Sequence, residues 1–551
     1  MDRKVIGIFN LLFFIGSALP LNSQDIPDEM RQLQLVAVVT ERAEWGHWGT
    51  RPRVYSEWTN HSNRLIPVYT FGGNLRQFAG GKSVYRNEDK LTEIFGRLPD
   101  ATLNPKADYF DQTDIFRLQV EAVAAGKKNV FVMVFDGMDW QTTQAAAIYR
   151  TGRVAFRQGR GTGLAFLDYD QAETDFGAMV TSATFPDAVV DRDRQILTLQ
   201  GENLGGYSAD YGGAFPWSEP GSLAYLIGQT KTPKHLVTDS ASSATSMFAG
   251  IKTYNSAINV DSAGRHVVPL ARSLQEKGWA IGVVTSVPIS HATPAATYAN
   301  NADRDDYQDL TRDLLGLPSI THQTAALSGV DVLIGAGWGE LKSLEKEELD
   351  KQGANLVAGN RYLTDEDLSV IQTREKGRYV VAQRTKGTQG AEVLAAGVRE
   401  AVATNNRLFG FFGGAHLPYQ TADGEFNPTR GANSVDVYSY EDILENPTLA
   451  DCTESALAVL KSRQAAGIWM MVEAGDVDWA NHNNNLDDSI GAVFSGEAAF
   501  KKIVDWVDTN SNWDETLLIV TADHGHLLNL TNPEIIARAG QKKLQARPGV
   551  K

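Results

Sequence analysis

The sequence predicts an α/β protein, a three-layer α/β/α sandwich around a central, mostly parallel sheet. Three observations predict it. Four apolar runs, Asn129–Phe135, Ala280–Thr285, Ile468–Val472 and Thr516–Val520, are continuous rather than alternating, the pattern of strands covered on both faces. Between such runs apolar residues recur at helical spacing, as at Ile490, Val493 and Phe494 and then Ile503, Val504 and Val507. Each strong run also leads into ionisable or hydroxyl side chains: Asp136 and Asp139, His291 and Thr293, Glu473 and Asp478, and Asp523, His524 and His526. Strands alternating with helices build a sheet between helix layers.

Taken in chain order, residues 1–23 read as a secretory signal. A basic start, Met-Asp-Arg-Lys, precedes an apolar stretch from Val5 to Leu21, broken by Asn10 and Pro20, and small polar residues follow at Asn22 and Ser23. The stretch is too short and interrupted for a membrane span. The expectation is an exported protein, periplasmic or extracellular, with no stable membrane insertion once the signal is cleaved. Residues 24–120 carry Trp45, Trp48 and Trp58 among scattered Gly and Pro and read as an N-terminal elaboration; residues 121–551 read as the catalytic domain. Weaker strands are expected at Val330–Ile334 and Arg407–Phe412, and residues 199–222 form a glycine-rich loop. The Gly159–Gly163 run lacks the strand and helix that a dinucleotide fingerprint needs.

Composition narrows the function. Of 551 residues, 42% are apolar and 21% charged, which excludes a disordered chain, a collagen or a coiled coil. The net charge is 51 − 67 = −16, so nucleic acid and anionic lipid are excluded as partners. The single Cys452 excludes an internal disulfide and a cysteine-rich zinc site.

In open α/β sheets ligands sit beyond the carboxyl ends of the strands. Four acids, Asp136, Glu473, Asp478 and Asp523, fall at such ends, and crowding them without cations would raise their pKa values. Carboxylates with His482 and His524 suit zinc; carboxylates with a hydroxyl and waters suit magnesium. Asp478 and His482 are four residues apart, so one helical turn can aim both at one ion. In Val237–Thr245, Ser240 follows Asp239 at an expected helix start, where free N–H groups and the helix dipole favour an anion. A plain N-cap serine is the alternative reading. No Gly-x-Ser-x-Gly elbow occurs, so a metal rather than a histidine would activate Ser240. Arg304 offers a bidentate clamp for phosphate oxygens, with a surface arginine as the alternative.

Asp239-Ser240-Ala-Ser-Ser-Ala-Thr245 resembles the active-site signature of the alkaline phosphatase family. The remaining pieces follow in that family's order: Asp136-Gly-Met, His291-Ala-Thr293-Pro, Val472-Glu473 with Asp478 and His482, and Thr521-Ala-Asp523-His524. The resemblance implies a phosphomonoesterase with two Zn2+ and one Mg2+, acting on small phosphomonoesters through a phosphoserine intermediate, and it suggests a homodimer. It makes Ser240 the nucleophile and Arg304 the phosphate clamp. Asp136 would bridge the second zinc and the magnesium, with Asp523 and His524 completing the second zinc site. Thr293 and Glu473 would hold magnesium, while Asp478 and His482 would hold the first zinc. Asp239 and His526 would act as partners of these groups.

Three departures stand against the resemblance. His291 occupies a position where some members carry Asp, which bears on whether the third metal is magnesium or zinc. Trp479 stands where some carry Lys. The family draws a third histidine for its first zinc from near its C-terminus, yet no His follows His526. Because the polar tail after Ala539 offers no strand, truncation of the C-terminal end is the favoured expectation, with a weakly bound first zinc. Rival readings are a phosphodiesterase or sulfatase of the same superfamily, the latter opposed by the setting of Cys452, and an exported phosphate- or metal-binding protein with impaired catalysis.

Overall fold

The computed structural model describes residues 28–546 apart from 186–187, 201–204, 219–236, 343, 425 and 427–437. The expected signal, residues 1–23, and part of the glycine-rich loop lie outside the described residues. Among those described, no helix is long and apolar enough to cross a membrane.

Ten strands form the central sheet. In chain order they are β1 (Ile66–Phe71), β2 (Phe110–Asp111), β3 (Asn129–Phe135), β4 (Thr174–Val180), β5 (Ala280–Pro288), β6 (Val332–Ala336), β7 (Tyr379–Gln383), β8 (Arg407–Phe411), β9 (Ile468–Ala474) and β10 (Thr516–Thr521). Across the sheet the order is β7-β8-β6-β5-β9-β3-β10-β1-β4-β2. All six runs expected from the sequence are strands. β3, β5, β9 and β10 are buried at every residue, which is why their sequences are apolar throughout rather than alternating.

The pairing is parallel from β7 to β10, while β1 runs antiparallel to both its neighbours, β10 and β4. Register then sets the level of the ionisable groups. Thr521 and Glu473 both pair with Val134, so Asp523 and Asp136 emerge level with each other, one strand apart. Because β1 is reversed, its start lies at the edge where β3, β9 and β10 end. Residues 24–120, read from the sequence as an elaboration, thus contribute β1 and β2 to the central sheet.

Two series of helices flank the sheet. One runs through α5 (Gly390–Thr404), α6 (Leu449–Ser462) and α8 (Leu486–Asn510) to α3 (Trp140–Thr151), α9 (Glu534–Ala546) and α1 (Glu29–Thr40). The other includes α2 (Gln112–Ala124), α4 (Ser240–Ala249) and the short helix Ala292–Ala296. The short helix α7 (Asp476–His482) follows β9 directly. The tail beyond Ala539 belongs to α9, which packs on α3 and α1.

Candidate active site

Asp239 caps α4 through its side chain, which accepts from the Ser242 N–H at 2.9 Å. Ser240 is therefore the first helical residue, buried at the positive end of the dipole. Its Oγ lies 3.2 Å from His524 Nε2 and 3.5 Å from Asp136 Oδ2. The other oxygen of Asp239 accepts from the Ser256 N–H at 2.9 Å and from Arg304 Nη1 at 3.1 Å. Arg304 Nη2 meets His291 Nε2 at 3.1 Å. Burial, and then the Arg304 guanidinium, push His291 down to about 3, so its ring is neutral. The sequence expectation gave His291 to the third metal; its Nε2 faces the Arg304 guanidinium, and its Nδ1 is buried without a hydrogen-bond partner.

Asp478 lies at the centre of two clusters. Its Oδ1 is 2.7 Å from His526 Nε2, 3.3 Å from His482 Nε2, 3.7 Å from His524 Nε2 and 3.8 Å from His61 Nε2. One cluster joins His61, Asp478, His482 and His526, and the other joins Asp136, Asp478 and His524, with the ligand atoms of each within 4.8 Å of one another. Although burial works against it, the imidazoles of His482 and His526 hold Asp478 well below the usual carboxylate range. Burial first, and then the charges of Asp523 and Asp478, push Asp136 well above that range. Burial also raises Glu473 to about 7. The turn after β3 is tight: a Cβ on Gly137, at φ +70°, would lie 2.7 Å from His526 Nε2 and 3.0 Å from the Asp478 Cα, so glycine is required.

Sequence reasoning missed His61. The reversal of β1 and the bridge between Ser62 and Gly525 carry it onto the histidine-bearing loop after β10. Its ring stacks on His524 with centroids 3.6 Å apart. His61 Nδ1 lies 2.7 Å from the Thr238 carbonyl, and His482 Nδ1 lies 2.5 Å from the Thr59 carbonyl. A carbonyl accepts only, so each Nδ1 carries the proton and each Nε2 presents its lone pair. These lone pairs face each other at 3.2 Å beside the Asp478 carboxylate. Burial, and then His524, hold His61 well below its ordinary pKa; two imidazole nitrogens beside a carboxylate form a donor set that fits a cation. The only sequence signal was an imidazole five residues ahead of the run Ile66–Phe71.

Four further oxygens support the same fit. Asp136 Oδ1, Thr293 Oγ1, Glu473 Oε1 and Asp523 Oδ2 are buried without a hydrogen-bond partner, an arrangement that hard cations relieve. Asp523 Oδ1 is held by the Gly137 and His524 N–H groups, each at 3.0 Å. Among the described residues, Asp523, Glu473 and His291 belong to neither ligand cluster.

Together these features define an α/β protein with two adjoining clusters of candidate metal ligands beside a buried serine that opens a helix. The alkaline phosphatase family model matches residues 223–550. The chain belongs to that family. It is 27% identical over 309 residues to alkaline phosphatase 3 of Bacillus subtilis (strain 168), a match covering 54% of this chain and 52% of the relative. It is 25% identical over 324 residues to an alkaline phosphatase of Gadus morhua, covering 55% and 60%. The chain thus spans little more than half the length of these curated relatives. A solved Thermus thermophilus alkaline phosphatase is similar at TM-score 0.44 and 21% identity, covering 73% of this chain and 60% of that one. The structure from the Antarctic bacterium TAB5 is similar at TM-score 0.40 and 19% identity, covering 73% and 80%.

Proposed function

We propose that the protein hydrolyses small phosphomonoesters through a phosphoserine on Ser240, in a site holding two zinc ions and one magnesium. The observation that carries this reading is the position of Ser240 Oγ, 3.2 Å from His524 Nε2 and 3.5 Å from Asp136 Oδ2, both members of one ligand cluster. Asp478, His482 and His61 would hold the first zinc, and Asp136, Asp523 and His524 the second. Asp136, Thr293 and Glu473 would hold the magnesium, with His291 beside the clamp. His526 would orient Asp478, and Asp239 would orient Arg304.

When bound, the cations supply Lewis acidity for the attacking and leaving oxygens. The chain does the rest. The start of α4 and the Arg304 guanidinium bind the equatorial phosphate oxygens. Ser240 Oγ bonds to phosphorus and gives up its proton to water as the ester P–O bond breaks, and the leaving oxygen takes a proton from water to depart as the alcohol. A water then cleaves the phosphoserine, releasing inorganic phosphate and restoring the Ser240 hydroxyl. Export directed by residues 1–23, with the enzyme acting as a homodimer outside the cytoplasm, belongs to the same reading.

A colorimetric comparison of an aryl phosphate, an aryl phosphodiester and an aryl sulfate, with zinc and magnesium present, tests it. Turnover of the monoester well above the other two is expected. Preference for the diester or the sulfate, or no turnover of any, would overturn it.

A further inference from the structure

We infer that Gln112 is a positioning residue that fixes the spacing between the Ser240 helix and the Asp523 loop; its catalytic consequence rests on the phosphatase reading above. Gln112 opens α2 and is fully buried. Its place is set by Asp111, which forms a capping box with Asp114. Asp111 Oδ2 also accepts from Tyr85 Oη at 2.7 Å and pairs with Lys252 Nζ at 3.0 Å, both charged side chains being buried. Lys252 lies three residues beyond the end of α4. The first turn of α2 is thereby tied to the far end of the helix that begins at Ser240.

From this fixed point the carboxamide reaches the site. Gln112 Nε2 donates to the Asp523 carbonyl at 2.7 Å and to Ser243 Oγ. Ser243 Oγ donates to the same carbonyl at 2.7 Å. Ser243 stands one turn beyond Ser240, on the same side of α4. Asp523 Oδ2 has no hydrogen-bond partner and lies 3.5 Å from Nε2 of His524, a member of one ligand cluster. One side chain thus joins the helix bearing the nucleophile to the loop bearing a candidate metal ligand. Its Oε1 has no hydrogen-bond partner, which a position serving packing alone would avoid by being apolar.

Gln119, two turns along α2, supplies the comparison. It donates to the Met247 carbonyl of α4 at 3.0 Å and accepts from Trp469 Nε1 at 2.9 Å. It ties the same two helices and touches no candidate site residue.

The test uses the full chain and three variants: Gln112→Leu, which keeps volume; Gln112→Met, which keeps length but has no donor for a carbonyl; and Gln119→Leu. Zinc binding is read by titration of the metal-free protein, and kinetics on an aryl phosphate are read separately. Both Gln112 variants should weaken binding of the second zinc, the one assigned to Asp523, at least tenfold and lower kcat at least tenfold. KM and inhibition by inorganic phosphate should stay within about threefold, because Arg304 is untouched. Gln119→Leu should lower Tm without changing zinc affinity or kcat. Wild-type zinc binding and kcat in folded Gln112→Leu or Gln112→Met would overturn the inference. Equal losses in Gln119→Leu would overturn it too, by reducing Gln112 to general helix packing. If the wild type turns over no monoester, the phosphatase reading fails, and the zinc titration still decides the positioning role.

Discussion

Arg304 and Asp239, 65 residues apart, meet through Nη1 and Oδ2 at 3.1 Å, while the other oxygen of the same carboxylate caps α4 at the Ser242 N–H. One carboxylate therefore sets both the start of the helix bearing Ser240, the proposed nucleophile, and the direction of Arg304, the proposed phosphate clamp. The guanidinium does not float over the site; its charge is aimed by the residue immediately before Ser240. His291, neutral and against Nη2, braces its other side.

Arg304→Ala should weaken inhibition by inorganic phosphate and lower kcat/KM, each by tenfold or more. A hydrogen bond to a charged group contributes roughly 1.5–3 kcal/mol, and the clamp offers two. Metal content should not change, since Arg304 touches neither ligand cluster. Product-inhibition constants and metal analysis on the same preparation check this. Unchanged phosphate inhibition would return Arg304 to a structural role.

Ser240→Ala should reduce turnover by several orders of magnitude while both zinc ions stay bound. The hydroxyl is within 3.5 Å of ligand atoms but belongs to neither cluster of candidate ligands. Acid trapping with labelled phosphate should mark Ser240 in the wild type and nothing in the variant. Label on Thr245, whose hydroxyl donates to the Ala257 carbonyl at 2.9 Å, would contradict the assignment.

The legible part of the fold is the part written locally. β3, β5, β9 and β10 lie in the parallel body of the sheet, so each is a continuous apolar run, and the acids that follow them are placed by the strand ends themselves. Ser240 was legible because an aspartate before a run of small residues is a helix start. β1 was not. Pro67 interrupts its run and argues against an interior strand, and its partner β10 lies some 450 residues later, as in the contact of Thr521 Oγ1 with the Pro67 carbonyl. His61 is invisible for the same reason. Its role depends on an antiparallel pairing and a bridge to Gly525, neither of which leaves a local pattern.

Asp114 provides a pH test away from the metal cluster. Burial raises its carboxyl to about 7 from an ordinary value of 3.8. Between these values the folded chain holds a proton that the unfolded chain has released. Stability from this group therefore falls as pH rises from about 4 to about 7 and is level above that. Asp114→Asn removes the titration while keeping an acceptor for the Asp111 N–H, bonded to Asp114 Oδ2 at 3.0 Å. The Tm of the variant minus that of the wild type, both metal-free, should grow between pH 4 and 7. A flat difference would show the carboxyl to be unshifted by folding, and one that shrinks with pH would show it stabilised in its ionised form, as by its 2.8 Å contact with Arg117.

His61→Ala should cost the first zinc. In the proposed reading that site draws Asp478 and His482 from the chain beyond residue 223, two ligands where three or four are normal, while His526, of the same cluster, meets Asp478 through Nε2 at 2.7 Å. His61 brings the third imidazole with its tautomer already set by the Thr238 carbonyl, so its Nε2 is preorganised toward Asp478 and His482. The segment around it gives a second support, because the Thr59 carbonyl sets the tautomer of His482. Removing a mere partner of a ligand typically costs about 10–100-fold in metal affinity, and removing a ligand should exceed that. After dialysis the wild type should retain two zinc ions per chain and His61→Ala one, while His526→Ala should show the smaller loss. Two ions retained by His61→Ala, with one lost from His526→Ala, would make His526 the ligand and leave His61 a packing residue against His524.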